Sequence, residues 1–288
     1  MATDNKITIQ ENLIAQSVNF TTGFKNNLNT LLKVLGVTRR QALTVGNQVK
    51  IYKTTKELED GSVPEGEQIP LSRFKRELDR TITLDYKKYR KEVTAEAIQG
   101  SGFEAAVTDT DAELLDSNQA GIKKDFFDLI TGLENATKNT VTGGFQKALA
   151  SALGQLAVKF EDKDANSVLF VNPLDFYEYL GENQIQVQTA FGLKYVQNYL
   201  GFDVIVMSAN VKQGTVVATA SQNLNVAYAA IDSQLKSAFD LTTDTTGFIG
   251  IGHTPKSDNL SYDTVTVSAL KMFPDIAEGV IQTTFAKN

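Results

Sequence analysis

The chain has 288 residues, 42% hydrophobic and 22% charged, a globular balance that excludes collagen-like, coiled-coil and wholly disordered chains. Its 34 acids against 28 bases give a formal net charge of −6, without the clustered basic signature of a dedicated nucleic-acid binder. With no Cys and one His, His253, the chain has no disulfide, thiolate metal site, iron–sulfur cluster or His-rich metal site, so no cofactor is expected. The start, MATDNKITIQENL, lacks a basic stretch followed by an apolar one, and no run of about 18 apolar residues follows, so the expectation is an intracellular protein with no membrane span.

Residues 1–38 read as a helical arm. Phe24, Leu28, Leu31, Leu32 and Leu35 recur at helical spacing with Lys25, Asn26, Asn27 and Lys33 between them, and Gly36 is placed to end the run. The stripe serves either its own domain or a neighbouring subunit, and periodicity favours neither.

From Leu43 the period changes. Leu43, Val45, Val49 and Ile51 alternate with polar residues, as do Ile82, Leu84 and Tyr86, so two strands flank a long hairpin-like excursion. Its charges are segregated. Glu57, Glu59, Asp60, Glu65 and Glu67 occupy a stretch with no base, turned by Gly61, Pro64 and Gly66. The return limb carries Arg73, Lys75, Arg76, Arg80, Lys87, Lys88, Arg90 and Lys91 against only Glu77, Asp79 and Asp85. With few large apolar residues at its tip, the excursion is expected to project from the body, its charges pairing internally or with a second copy.

Thr110 to Glu113 reads as a capping box before a long helix whose apolar face runs from Leu114 to Leu133. A second helix with Phe145, Leu149, Leu153 and Leu156 on one side follows Gly143–Gly144. SVLFV at 167–171 is a buried-strand candidate, and Asn172–Pro173 suits the cap and first turn of a helix over LDFYEYL. LKYVQNYL is expected as a short helix ending at Gly201, before a strand at DVIVM, a turn at SANVKQG and strands at VVATA and NVAYAAI. Strand alternation at Val265, Val267 and Ala269, a break at Pro274 and a strand near Val280–Ile281 complete an α+β chain.

Chemistry is thinly represented. Asp109, Asp111 and Asp116, with Glu113, form a loose acidic cluster that could hold a divalent cation, but acids at a helix start also complement its dipole, which is the favoured reading. Asp125 and Asp128 read as a polar helix face. GFIGIG at 247–252 lacks the spacing and the Lys of a phosphate loop and reads as a strand with close backbone approach. His253 is expected in a surface loop before Thr254–Pro255. No catalytic constellation emerges, and the chain is read as a non-enzyme.

The order of these elements resembles the major capsid protein of a tailed bacteriophage, with the Hong Kong 97 fold. The resemblance rests on the arm, the charged excursion at 43–95 (the family's E-loop) and the long helix at 111–136 (its spine helix). SVLFVNPLDFYEYL at 167–180 and GFDVIVMSANVKQGTVVATASQNLNVAYAAI at 201–231 look like its axial domain. It implies an arm over 1–42, an E-loop over 43–95, a peripheral domain with the spine helix over 96–137, an axial domain over 138–247 and peripheral return strands over 248–288. It also implies hexamers and pentamers tiling a virion head around double-stranded DNA bound without sequence specificity, assembled in the bacterial cytoplasm with a portal protein. About 42 residues precede the first strand, so a separate scaffolding protein is expected, and no Lys–Asn crosslink is assigned. The inter-subunit candidates are Phe24, Leu28, Leu31, Leu32 and Leu35 in the arm, the five acids of the tip, and Arg73, Lys75, Arg76 and Arg80. An encapsulin shell with the same fold is the alternative, and a carboxylate-dependent metal enzyme is the alternative of another class.

Overall fold

A computed structural model describes residues 27–37, 39–161, 165–181, 185–231, 233–243 and 247–286. The first element is helix α1, Asn27–Val34, within which Leu28 falls; Phe24 lies outside the described residues. Gly36 ends the helix at φ +64, where a side chain would also meet the Cβ of Ser221 at 2.9 Å. Leu31, Leu32 and Leu35 are buried in the same core as the long helix, so this part of the stripe packs against its own protomer.

Strand β1, Arg39–Ala42, leads to β2, Gln48–Glu57, and β3, Arg73–Thr83, which pair only with each other as an antiparallel ribbon. At its root Ile51 and Ile82 are buried against Ala227 and Phe273. Beyond the register shift at Ile51/Tyr52 the ribbon leaves the core, and Tyr52, Phe74 and Leu78 are exposed. Expected strand residues Leu43 and Val45 instead sit in the loop between β1 and β2, half-buried.

Strand β4, Lys87–Thr94, runs into helix α2, Ala95–Ser101, whose N-cap is Thr94, accepting from the Ala97 N–H at 3.3 Å. A π-helical turn, Glu104–Asp109, continues without a break into the long helix α3, Thr110–Thr131. The expected capping box is therefore absent: Asp109 is already helical, and the Thr110 hydroxyl donates back to the Ala106 carbonyl at 2.7 Å. A backbone arriving in helical geometry needs no cap there; the run begins after Gly102, whose φ of +83 ends α2, and Thr94 caps α2 alone.

After β5, Thr137–Thr142, helix α4, Gly144–Lys159, buries Phe145, Leu149 and Leu156. Strand β6, Ser167–Val171, is buried at all five positions, and Asn172 caps helix α5, Pro173–Leu180, accepting from the Leu174 N–H at 2.9 Å. Strands β7, Gln188–Ala190, and β8, Leu193–Tyr199, precede β9, Phe202–Met207, and β10, Thr215–Ala220. LKYVQNYL is thus a strand, contrary to the helix expected. Leu200 and Gly201, both at positive φ, turn β8 directly onto β9, where Tyr195 and Val196 pair with Val206 and Ile205 in a buried ladder.

The remaining elements are β11, Leu224–Tyr228; α6, Ser233–Phe239; β12, Leu241–Thr243; β13, Ile249–Lys256; β14, Ser261–Ser268; β15, Leu270–Pro274; and β16, Ile281–Ala286. The main sheet has the order β5-β16-β10-β6-β9-β8-β7. One face carries α4 and α5 over Leu169, Ile205 and Val216, while the other packs Phe170 and Val206 against Phe126 and Phe127 of α3. A second sheet has the order β12-β13-β14-β4, and a third β1-β11-β15. Strand β16 lies between β5 and β10 in the main sheet.

Candidate functional site

The surface that departs most from an ordinary protomer is the ribbon, and its root is bolted to the body. Arg80 donates to Asp79 at 2.9 Å and to the carbonyl of Pro274, and Lys271 donates to the Thr83 carbonyl at 3.0 Å. Lys53 and Lys159 both grip Glu278, the second at 2.7 Å, and these two hydrogen bonds pull the Glu278 carboxyl down to about 2. Arg80 therefore anchors the ribbon within its own chain.

Farther out, the candidates lie where a partner could reach them. Glu57, Glu59, Asp60, Glu65 and Glu67 are exposed, and none forms an ion pair among the described residues. Asp60 accepts from the Ser62 N–H at 2.9 Å, which sets the turn. Arg73 is exposed, Lys75 pairs with Glu77 at 2.5 Å, and the Arg76 guanidinium lies 4.3 Å over the Tyr52 ring. Tip and limb acids and bases do not cross-pair within the ribbon. Charge alone missed the apolar content: Leu71 is 90% exposed, with Ile69, Leu58 and Phe74 beside it in the sequence of the tip and limb. The signal available was the hydrophobic residues scattered through a charged hairpin with no second layer to bury them.

The acidic cluster resolves differently. Asp109 and Asp116 are exposed, but Asp111 is buried, 2.6 Å from Lys91 Nζ and 2.9 Å from His253 Nε2. Burial works to raise the Asp111 carboxyl, and the hydrogen bonds from His253 and Lys91 outweigh it and hold the group below the usual carboxylate range. Burial pushes the Lys91 ammonium down, against the pull of Asp111. His253 is not in a surface loop: it is buried on β13, its ring 5.7 Å from that of Tyr262 on β14. The strand extends through Pro255, which places the imidazole inward against the start of α3. Asp111, Lys91 and His253 form a polar lock between α3, β4 and β13. Among the described residues, no group of three or more His, Cys, Asp or Glu side chains could hold a metal.

The GFIGIG segment supplies the close approach expected of it: a Cβ on Gly252 would stand 2.8 Å from the Phe239 carbonyl. A second lock escaped sequence reading. Fully buried Asn118 donates to the Thr266 hydroxyl at 3.3 Å and accepts from the Ser268 hydroxyl at 3.0 Å, fixing the middle of α3 to β14.

A long helix beside two sheets, a projecting two-stranded ribbon and a mixed sheet under two helices constitute the Hong Kong 97-type fold. No protein-family model matches the chain, and no curated protein matches it in sequence. The likeness is carried by solved structures. The capsid structure of the cyanophage P-SCSP1u aligns with a TM-score of 0.56 at 10% identity, over 87% of this chain and 86% of its own. A structure from Mycobacterium phage Patience aligns at 0.53 and 10% identity, over 99% and 90%. The virus-like particle from Pyrococcus furiosus aligns at 0.50 and 13% identity, over 96% of this chain and 100% of its own.

Proposed function

We propose that the chain is the major capsid protein of a tailed double-stranded DNA phage, self-assembling as hexamers and pentamers into the icosahedral head. The observation that carries the reading is the ribbon, on a fold shared with phage capsid structures. Ten residues of β2 at about 3.3 Å each reach about 30 Å, and past the root they bury nothing of their own protomer. A lone ribbon with exposed Ile69, Leu71 and Phe74 gains stability only by covering a second surface.

In this reading the arm spans 1–42, the E-loop 43–95, the peripheral domain 96–137 with returns at 248–288, and the axial domain 138–247. The five tip acids, with Arg73, Lys75 and Arg76, lie over a neighbouring copy. A separate scaffolding protein and a portal protein are the other partners, and genomic DNA is enclosed without sequence-specific contacts, in keeping with a net charge of −6. The chain resides in the virion head after assembly in the host cytoplasm, and it performs no catalytic step. A second reading, an encapsulin-type compartment shell, is supported by alignment over the full length of the virus-like particle chain.

Sedimentation and electron microscopy of the purified chain, with and without the products of neighbouring genes, test both. Hexamers, pentamers, sheets or shells are expected; a monomer at high concentration in every condition refutes either reading. DNA-filled heads support the phage assignment, and closed shells holding protein cargo support the compartment.

A further inference from the structure

Beside the ribbon's root, between β1 and β2, lies a cleft of about 740 Å³. Arg39, Arg40, Lys50 and Arg76 line it against a single acid, Asp275. Arg39 occupies that acid at 3.1 Å, while Arg40, Lys50 and Arg76 stand in no ion pair among the described residues. At the other end of the same ribbon the five carboxylates between Glu57 and Glu67 are equally unpaired. We infer that the cleft receives the acidic tip of a second copy of this chain. The inference rests on the shell reading and names the partner surface that reading leaves open.

Within one copy the contact is not made: none of the five tip acids forms an ion pair with a cleft base among the described residues, and Glu57, three strand residues beyond Thr54 where Arg76 is paired, stands about 10 Å from the near end of the cleft and about 23 Å from Lys50. Donor and acceptor are then different patches on identical molecules. Such a contact is heterologous, and it closes into a ring or runs on as an open array, which isologous pairing does not. Arg76 is held against Tyr52 at 4.3 Å and is already oriented when the carboxylates arrive. The cleft replaces Arg80 in the acceptor surface, because Arg80 is spent on Asp79 and Pro274. Nucleic-acid phosphate is the competing anion, and it is disfavoured by Asp275 in the cleft and by the unpaired carboxylates that every copy of the ribbon carries.

The test uses two full-length variants, one reversing the tip (Glu57→Lys, Glu59→Lys, Asp60→Lys) and one reversing the cleft (Arg40→Glu, Lys50→Glu). All five positions are exposed, and thermal melts are expected to match wild type. Each variant alone should need at least about tenfold more protein to assemble at low salt, read by light scattering. An equimolar mixture should recover most of that loss, because each reversed tip meets a reversed cleft and each native tip a native one. Strict alternation permits only rings with an even number of copies, so electron microscopy of the mixture should show hexamers without pentamers. A tip variant that assembles like wild type, or a mixture that recovers nothing while wild type assembles, overturns the contact and leaves the shell reading standing. So does a cleft variant that assembles normally but loses binding to a random-sequence DNA duplex, which assigns the cleft to phosphate. A wild-type chain that stays monomeric overturns the shell reading and this contact together.

Discussion

Asp111 and its neighbours Asp109 and Asp116 are chemically alike, and burial alone separates their roles. Removing the charge at Asp111 leaves Lys91 in a low-dielectric site without its partner, and breaking one side of a buried ion pair costs about 3–5 kcal/mol. Asp111→Ala should therefore lower unfolding stability by about that amount in urea, whereas Asp109→Ala and Asp116→Ala should stay within about 0.5 kcal/mol. Equal losses at all three positions would reject the lock. Tyr262 gives the opposite sign. Its hydroxyl is buried with no hydrogen-bond partner among the described residues, and burial pushes its pKa up, so the phenol stays protonated. Tyr262→Phe deletes an unsatisfied group without changing the ring, so stability should hold or rise by about 1 kcal/mol. A clear loss would mean that the hydroxyl has a partner. None of this was legible in the sequence, because the residue opposite Asp111 is His253, 142 positions away, brought there by the pairing of β13 with β14 and of β14 with β4. Local spacing identifies which side chains could carry charge; it does not identify which of them face inward.

At the scale of elements, local pattern succeeded where one element's own residues determine its form and failed where a partner does. SVLFV, Asn172–Pro173 and α4 follow from apolar runs and a cap that act within about a turn. LKYVQNYL has apolar spacing compatible with a helix, and only the ladder it forms with β9 makes it a strand. The arm stripe shows the same limit, since its periodicity is equally suited to either partner, and Leu31, Leu32 and Leu35 are spent on the core. Leu32→Ala should consequently cost about 2–5 kcal/mol in chemical denaturation, and deletion of residues 1–38 should abolish cooperative unfolding. A truncated chain with a sharp transition would return that helix to the role of a separable arm. The tie at Glu278 joins β2 to α4 through Lys53 and Lys159. Its folded pKa, about 2, lies below the value of an unfolded glutamate, so its stabilisation is complete above about pH 4.5 and lost as pH falls towards 2. Wild type should exceed Glu278→Gln in stability at pH 7, with the gap closing across that window; a pH-independent gap would assign the difference to packing.

Under the proposed shell reading, the question for the whole molecule is what would hold copies together once the ribbon leaves the body, and magnitudes separate the two contributions. Each exposed ion pair is worth about 0–1 kcal/mol and is screened at 1 M salt, where the Debye length is about 3 Å. Burying a Leu or Phe side chain is worth about 1.5–3 kcal/mol and is not screened. The ribbon and its tip expose both kinds: unpaired carboxylates from Glu57 to Glu67, and Ile69, Leu71 and Phe74 immediately after them. The charges are suited to steering and register, and the apolar residues to the adhesion that follows. Raising salt to 1 M should slow assembly and raise the concentration it requires without dissolving shells already formed. Leu71→Ser with Phe74→Ser should instead weaken formed shells at every salt concentration, while protomer unfolding stays near wild type because both side chains are exposed there. Light scattering during a salt jump, paired with urea melts of the dissociated protomer, reads the two effects separately. Shells that dissolve completely at 1 M salt, or that tolerate the double serine variant unchanged, would reverse the assignment and make the contact electrostatic throughout.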